Sequence, residues 1–554
     1  MASRGRTALP GRPHGGSAAR TAGPDPRPGL RIPPAADPPM RPMIGVVARP
    51  AGADDDLGRR PGRPGLHRNR RPLPARPAWT FVDECHYRPA GPSRPSRCVP
   101  EVRMFPLAAH ERSGVWRTIS GLAVPLFVAG SLNFAAQLGI IAILGHMGGE
   151  VIYVRSLYQP VSLIVLALSV GFAVCNQVAA AISKGAGRPQ DVMSNAASLA
   201  RVWLGLGVAL YLVLAVAAPS LTGLLHVDAG LRDTFASFLR WTSAAGLLVV
   251  GEELCASSLR GYGYVRQATV LVICTASVRI GLVAGLGLGA GIGIAAVPIA
   301  EAAAGLTGLT LGLVLLRRTE LWHPPAARIW RREVFGDLRR IGVPIAMSFL
   351  VLSAYNLAVI GILGNYGENE VAGFTVVSTL QNVVLLPGMV LGTATAITIN
   401  QQRGAGEWRR IRASMRGGIE VTVVAYVVIA ALVWSLHDPL ARLMGGDAGV
   451  AAAAGGYLGA VALTYAVQGP VVASLTVMEE TGGGFRAIVL NAVYFGLIVA
   501  VSAVAAHAAG SADGFYAAVA YCNLIGVTVP LIAIRHVRRL SARGSAAQAA
   551  AATG

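Results

Sequence analysis

The chain has 554 residues, of which 53% are hydrophobic and only 14% charged, too little charge to cover a soluble globule. Its formal net charge of +20 invites a nucleic-acid reading, but 19 Arg against 8 acids place +11 of it in residues 1–103. Beyond that segment, apolar runs of about twenty residues or more recur, which excludes a soluble protein and predicts an all-α integral membrane protein.

Residues 1–103 carry 20 of the 33 prolines without any period. Such a stretch buries too little apolar area to offset its ordering entropy, and it lacks the apolar core of a secretory signal. We read it as a disordered Pro/Arg-rich extension that need not belong to the native protein; an Arg-rich arm for anionic lipid or RNA is the sharper alternative. Cys85, His86 and Cys98 lie there without a second close pair to complete a tetrahedral metal set. Met104 then opens a short polar lead with Arg112 and Arg117.

Six apolar segments follow, near 118–144, 151–180, 196–225, 233–259, 265–288 and 291–316. A polar connection, 317–337, contains Trp322, Pro324 and Pro325, and six more segments lie near 338–363, 370–399, 414–436, 452–478, 485–508 and 513–535. About twelve membrane-spanning helices result. They fall into an N-terminal lobe, 104–316, and a C-terminal lobe, 338–540, before a tail, 541–554, that reads as disordered. Cys175, Cys255, Cys274 and Cys522 fall inside apolar segments as small hydrophobes.

Arginine placement sets the topology. With the chain starting inside, inside loops after residue 103 hold 24 Lys/Arg, including Lys184, Arg188, Arg260, Arg331, Arg409 and Arg538. Outside loops hold four, Arg155, Arg232, Arg240 and Arg442, beside eight acids. The reading is a multi-pass inner (cytoplasmic) membrane protein with both termini cytoplasmic. Its partners are lipid and small molecules rather than nucleic acid, and a monomer is expected.

The halves repeat at an offset near 219. Gly-Leu-Ala-Val-Pro125 matches Arg-Ile-Gly-Val-Pro344, and Ile-Leu-Gly145-His-Met-Gly148 matches Ile-Leu-Gly364-Asn-Tyr-Gly367. Gly185-Ala-Gly187 matches Gly404-Ala-Gly406, and Gly263-Tyr-Val-Arg266 matches Gly483-Gly-Phe-Arg486 at offset 220. An even number of helices per unit makes the repeats parallel, with a cleft between two bundles and rocking as the natural motion.

These residues resemble the multidrug and toxic compound extrusion (MATE) family over about 104–540. Pro125, Gly145, Gly148 and Gly185-Ala186-Gly187-Arg188, with their second-half counterparts Pro344, Gly364, Gly367 and Gly404-Ala405-Gly406, fit its repeated pattern. Leu259-Arg260-Gly261-Tyr262-Gly263 is similar to its Leu-Arg-x-x-Gly stretch. The resemblance implies a two-lobed, V-shaped transporter that exports small organic molecules against influx of protons or sodium ions. It also implies an acid on the first helix and an Asn and Asp on the fifth. Those places hold Ile140, with Val359 in the second half, and Thr275 and Arg279. The coupling ion stays open between H+ and Na+.

Ionisable side chains at membrane depth cost about 2.5–3.5 kcal/mol to insert and tend to mark function. Glu252 and Glu253 in the fourth segment, Arg279 in the fifth and Glu301 in the sixth are the ion-coupling candidates. One of the glutamates is expected to form a switchable pair with Arg279, the alternative being a static pair that orients helices. Neighbours on a helix point about 100° apart, so Glu252 and Glu253 cannot share that partner. Glu420, Glu479 and Glu480 read as headgroup-solvated helix ends.

Substrate-cleft candidates are Asn133, Gln137, Asn176, Gln177, Tyr355, Asn356, Gln381, Gln468 and Asn491, and Asn382 shares its helix with Gln381. Gln137 and Asn356 match at the repeat offset; inter-helix hydrogen bonding is the plainer role for any one of these residues. Pro125 and Pro344 recur and are the hinge candidates. His146, His226, His323, His437 and His507 read as solvated. No phosphate loop, nucleophile elbow or metal motif is present, and Lys184 is the sole lysine. No cofactor or metal is therefore expected. Secondary-active export is the first reading, a flippase for lipid-linked saccharides or peptides the second, and an integral-membrane enzyme the third.

Overall fold

The computed structural model describes residues 109–224 and 227–553, with side chains from Ser113 on. The extension 1–103, with Cys85, His86 and Cys98, lies outside the described residues, as do Met104, the Arg112 side chain and His226. The first half contains α1 (Ala109–His146), α2 (Gln159–Gly185), α3 (Pro189–Leu224), α4 (Arg232–Tyr262), α5 (Val265–Ala284) and α6 (Ala296–Arg317). The second contains α7 (Val343–Leu363), α8 (Glu368–Gly404), α9 (Trp408–Ser435), α10 (Ala448–Val461 continued by Tyr465–Met478), α11 (Gly484–Ala509) and α12 (Ala512–Ile525 continued by Thr528–Thr553).

Among the described residues eleven helical stretches are long and apolar enough to cross a bilayer, and the longest runs 62 residues from Ala448 to Ala509. At 1.5 Å per residue it would reach about 93 Å, three times a hydrocarbon core of about 30 Å. It reverses at Gly482, whose φ of 88° is left-handed, so α10 and α11 are separate crossings. Twelve crossings bring both ends of the described chain to one face, the terminal face; the opposite face is the distal face.

The backbone shows the duplication directly. Left-handed glycines recur in pairs 219 residues apart: Gly148 and Gly367, Gly187 and Gly406, Gly263 and Gly482, Gly291 and Gly510. Only residues without a β-carbon adopt these angles freely. The third pair corrects the sequence alignment, which set Gly263 against Gly483: the offset stays 219 through that turn.

The described part of the tail is not disordered. Residues 541–553 continue α12 as helix, in keeping with Ala546, Ala547 and the run Ala549–Ala552, since alanine has the highest helix propensity. This stretch packs on the start of α9, where the Ser541 hydroxyl donates to the Trp408 carbonyl at 2.7 Å. Its repeat equivalent is the 317–337 connection, which is strapped to the start of α3 in the same manner. There the Arg331 N–H donates to Ser198 Oγ at 3.1 Å, Arg331 pairs with Asp191, and Arg201 donates to the Ala327 carbonyl.

The halves meet toward the terminal face. Hydrogen bonds from Trp116 to Glu420 (3.4 Å), from Gln177 to Glu480 (3.2 Å) and from Gln401 to the Gly261 carbonyl (3.0 Å) join them. The ends of α2 and α8 cross in van der Waals contact, so a β-carbon on Gly185 would collide with the Gln401 carbonyl, and one on Gly404 with that of Ile182. Buried apolar clusters near this face mix the halves, as with Ile119, Ala181, Leu391 and Ile397. Near the distal face the two large clusters each belong to one half.

Candidate functional site

A cavity of about 460 Å³ occupies the first half. Its walls come from α1, α2, α4, α5 and α6, and α8 of the other half closes it through Met389, Val390 and Thr393. Three carboxylates and two guanidinium groups line it: Glu252, Glu253, Glu301, Arg260 and Arg279. The four ion-coupling candidates read from the sequence all converge here, from three helices.

The charges descend along the wall. Nearest the distal face, Arg279 Nε lies 3.0 Å from Glu301 Oε2. The N–H points off the carboxylate, so the contact is an ion pair rather than a formed hydrogen bond. Snorkelling from mid-helix is difficult for arginine, and the acid one helix over supplies the counter-charge.

One step lower, Glu252 is 6% exposed and sits beside Thr275 in the space left by Gly308, where a β-carbon would stand 2.5 Å from Glu252 Cγ. Its Oε2 has no hydrogen-bond partner. A buried polar atom without a partner is costly, and a proton or cation on that oxygen removes the cost. Lower again, Glu253 pairs with Arg260, so the two adjacent glutamates do not share Arg279.

The floor shows what sequence reading missed. Glu480, expected among headgroups, is 2% exposed. It accepts from Gln177 Nε2 at 3.2 Å and Thr393 Oγ1 at 2.8 Å, and Asn400 donates to its backbone carbonyl at 3.0 Å. Gln177 in turn accepts from Arg260 Nε at 3.2 Å. Glu479 accepts from Ser348 at 2.6 Å. Glu480 is buried and Glu479 half-buried because α10 ends in a π-helical turn, Glu479–Gly483, folded against α8. That unwinding has no hydropathy signature; its one sequence signal is the Gly482-Gly483-Gly484 run.

Asn133, Gln137 and Gln177 line the cavity. Asn176 does not: fully buried, it donates to the Leu254 carbonyl, Ser257 and Ser258 at 2.8–2.9 Å and ties α2 to α4. The remaining cleft candidates sit apart in the second half. Tyr355 packs on Phe495 with ring centroids 4.7 Å apart, Gln381 bonds Gln468 at 3.2 Å, and Asn491 donates to Ser348 at 3.4 Å. Asn356 is half-buried outside the cavity lining, so the repeat pairing with Gln137 does not place two amides in one cavity. Pro125 lies inside continuous α1, and its carbonyl accepts from Thr269 at 3.0 Å. Pro344 instead follows a π-helical turn, Leu338–Gly342. Among the described residues no three His, Cys, Asp or Glu side chains cluster as metal ligands.

Residues 125–302 and 344–505 match the MatE family. A relative from Bacillus subtilis, the probable multidrug resistance protein YoeA, is 22% identical over 357 residues, covering 62% of this chain and 77% of its own. An FAD transporter of Shewanella oneidensis is 24% identical over 390 residues, 65% of this chain and 83% of its own. The crystal structure of the Vibrio cholerae MATE transporter VcmN in the bent form superposes with a TM-score of 0.73 at 19% identity, over 78% of this chain and 99% of that one.

Proposed function

The chain belongs to the MatE family, and on that premise we propose that it is a secondary-active exporter that exchanges small organic compounds for protons or sodium ions by alternating access. The observation that carries this reading is the cavity itself: a partly open space set mainly in one half of a duplicated membrane bundle, lined by the Arg279–Glu301 pair and by Glu252 with an oxygen left over. With the Arg-rich terminal face in the cytoplasm, as the loop charges indicate, the halves are shut on the cytoplasmic side and the cavity belongs to an outward-facing state.

In that state Glu252 takes a proton or cation from outside, which displaces a cationic substrate competing for the same carboxylate. Closure outside and opening inside then release the ion to the cytoplasm. Arg279 stays paired with Glu301 in both states, leaving Glu252 as the acid that changes partner. The names of the relatives, multidrug resistance in one case and FAD in another, span different compounds. The cavity wall intersperses apolar side chains with polar and charged ones from several helices, which offers contacts to more than one kind of compound. We expect the protein to act as a monomer in the inner membrane.

The test uses the full chain in proteoliposomes loaded with a fluorescent cationic dye, under an imposed proton gradient and then a sodium gradient. One gradient drives dye movement in the wild type, and Glu252→Gln lowers the driven rate at least about tenfold, the scale of a lost buried-charge interaction. Dye that moves under neither gradient overturns the reading. Full driven transport in both Glu252→Gln and Glu301→Gln overturns the assignment of the ion to this cavity.

A further inference from the structure

We propose that Arg260, Gln177 and Glu480 form a latch across the seam between the halves, closing the cavity floor toward the terminal face, and that its parting opens that face. The proposal rests on the alternating-access reading.

Repeat position carries the first part of the argument. At the constant offset of 219, the end of α4 that bears Arg260-Gly261 corresponds to the end of α10 that bears Glu479-Glu480. A duplicated bundle brings equivalent helix ends together about its pseudo-twofold axis, where two copies of one charge repel. Here the first copy is basic and the second acidic, and they meet. Gln177 stands between them, accepting from Arg260 Nε with its Oε1 and donating to Glu480 with its Nε2, both at 3.2 Å. A neutral amide with one acceptor and two donors is the side chain that relays a cation to an anion in this manner.

Placement carries the second part. Gln177, Arg260 and Thr393 all line the cavity, so the relay is its floor. Beneath it the halves touch at the Gly185–Gly404 crossing and at Ala181 and Ala394, with the larger Ile119, Leu391 and Ile397 in the same cluster. The bonds are divided unequally across the seam. Glu480 is held within its own half by Thr393 and Asn400, and Arg260 within its own half by Glu253. Within the relay the link that crosses is Gln177 to Glu480, with the Gln401–Gly261 hydrogen bond beside it. Parting there leaves each charge with a partner: Arg260 leaves with Glu253 and Gln177, and Glu480 stays with Thr393 and gains water. Among its neighbours, α2 and α8 present the neutral Gln177, Thr393 and Asn400; Glu479 precedes it, and His536 of α12 reaches Thr481 at 3.3 Å.

The experiment reads the seam rather than transport. Spin labels at Arg188→Cys and Glu407→Cys, exposed positions at the α2–α3 and α8–α9 turns, are placed in the full chain with Cys85→Ser and Cys98→Ser, in lipid nanodiscs without substrate. The open-to-closed ratio of the label distances is expected to rise about threefold to twentyfold in Gln177→Leu, the range of inter-helix hydrogen bonds in membranes. Glu480→Gln, which keeps acceptor capacity and loses charge, shifts it less. Combining Gln177→Leu with Glu480→Gln adds no more than Gln177→Leu alone, because one link is being removed twice. Unchanged distances in folded Gln177→Leu and Glu480→Gln overturn the latch, and so do additive shifts, which mean the two residues act apart. Dye transport by the wild type is scored separately: its absence sinks the exporter reading, while a latch seen in the distances stands.

Discussion

The two halves share a backbone down to their left-handed glycines and differ in what fills them. The first half keeps a cavity with an ion pair and a buried acid. The second fills the corresponding region with rings. Tyr355 meets Phe495 at 4.7 Å, Tyr457 meets Tyr516 at 5.0 Å, and Tyr426 and Tyr465 are fully buried in the same cluster. Neutral polar groups form short chains there, as where Tyr494 donates to Asn523 and Asn523 to Thr464, both at 2.9 Å, while the Tyr465 hydroxyl is buried without a partner. Where Glu252, Arg279 and Glu301 stand, the offset of 219 puts Val471, Ile498 and Ala520. Duplication thus leaves one scaffold with two interiors: charge and space in one, aromatic packing in the other. Transport chemistry should be sensitive in the first half and stability in the second.

The strongest break of that contrast is Arg279→Leu. It strands Glu301 beside Glu252 and Glu253 in a space of low dielectric, and removing one partner of a buried pair costs about 3–5 kcal/mol. Dye transport is expected to fall by more than tenfold on the scale of about 1.4 kcal/mol per decade. Arg279→Leu with Glu301→Leu regains most of the thermal stability without regaining transport. If the double variant transports normally, the pair only orients helices and the contrast between halves fails.

A smaller effect is expected from Tyr426→Phe in the second half. Pro387 breaks the α8 ladder, and the Tyr426 hydroxyl mends it by accepting from the Gly388 N–H at 2.9 Å and donating to the Val384 carbonyl at 2.8 Å. Losing one hydroxyl leaves two buried backbone groups unpaired, at about 1–3 kcal/mol each before water or local relaxation re-pairs them. The melting temperature in detergent should drop while the driven transport rate per folded molecule stays within about twofold, less than 0.5 kcal/mol. Transport falling in step with Arg279→Leu would show that the aromatic half also carries the chemistry.

What the sequence disclosed follows from which physical signals are local. Apolar run length and arginine placement are one-dimensional, so the twelve segments and the repeat can be read directly, as can which segments carry Glu252, Glu253, Arg279 and Glu301. Burial of Glu480 depends on a π turn and on Thr393 and Gln177 arriving from two other helices, and no window along α10 carries that. The same holds for Asn176, whose polarity suggested the cleft but whose partners Leu254, Ser257 and Ser258 lie on a facing helix. Helicity of residues 541–553 is legible in their alanines. The docking of that stretch on Trp408 was not legible at all.

The finest test of the contrast is the amide pair of the second half. Gln381 and Gln468 bond each other at 3.2 Å, and neither lines the cavity. If the second half is a packed scaffold, this is an ordinary inter-helix hydrogen bond, worth about 0.6 kcal/mol on average. Gln381→Leu with Gln468→Leu removes both partners together, so no buried amide is left unpaired and the change is nearly neutral. The single Gln381→Leu leaves Gln468 alone and is the less stable of the two. Thermal unfolding and dye transport of both variants together decide the role, because a substrate-contacting pair predicts a different pattern. In that case the double variant folds as well as the single but loses dye transport, and the second half would then hold a binding surface of its own.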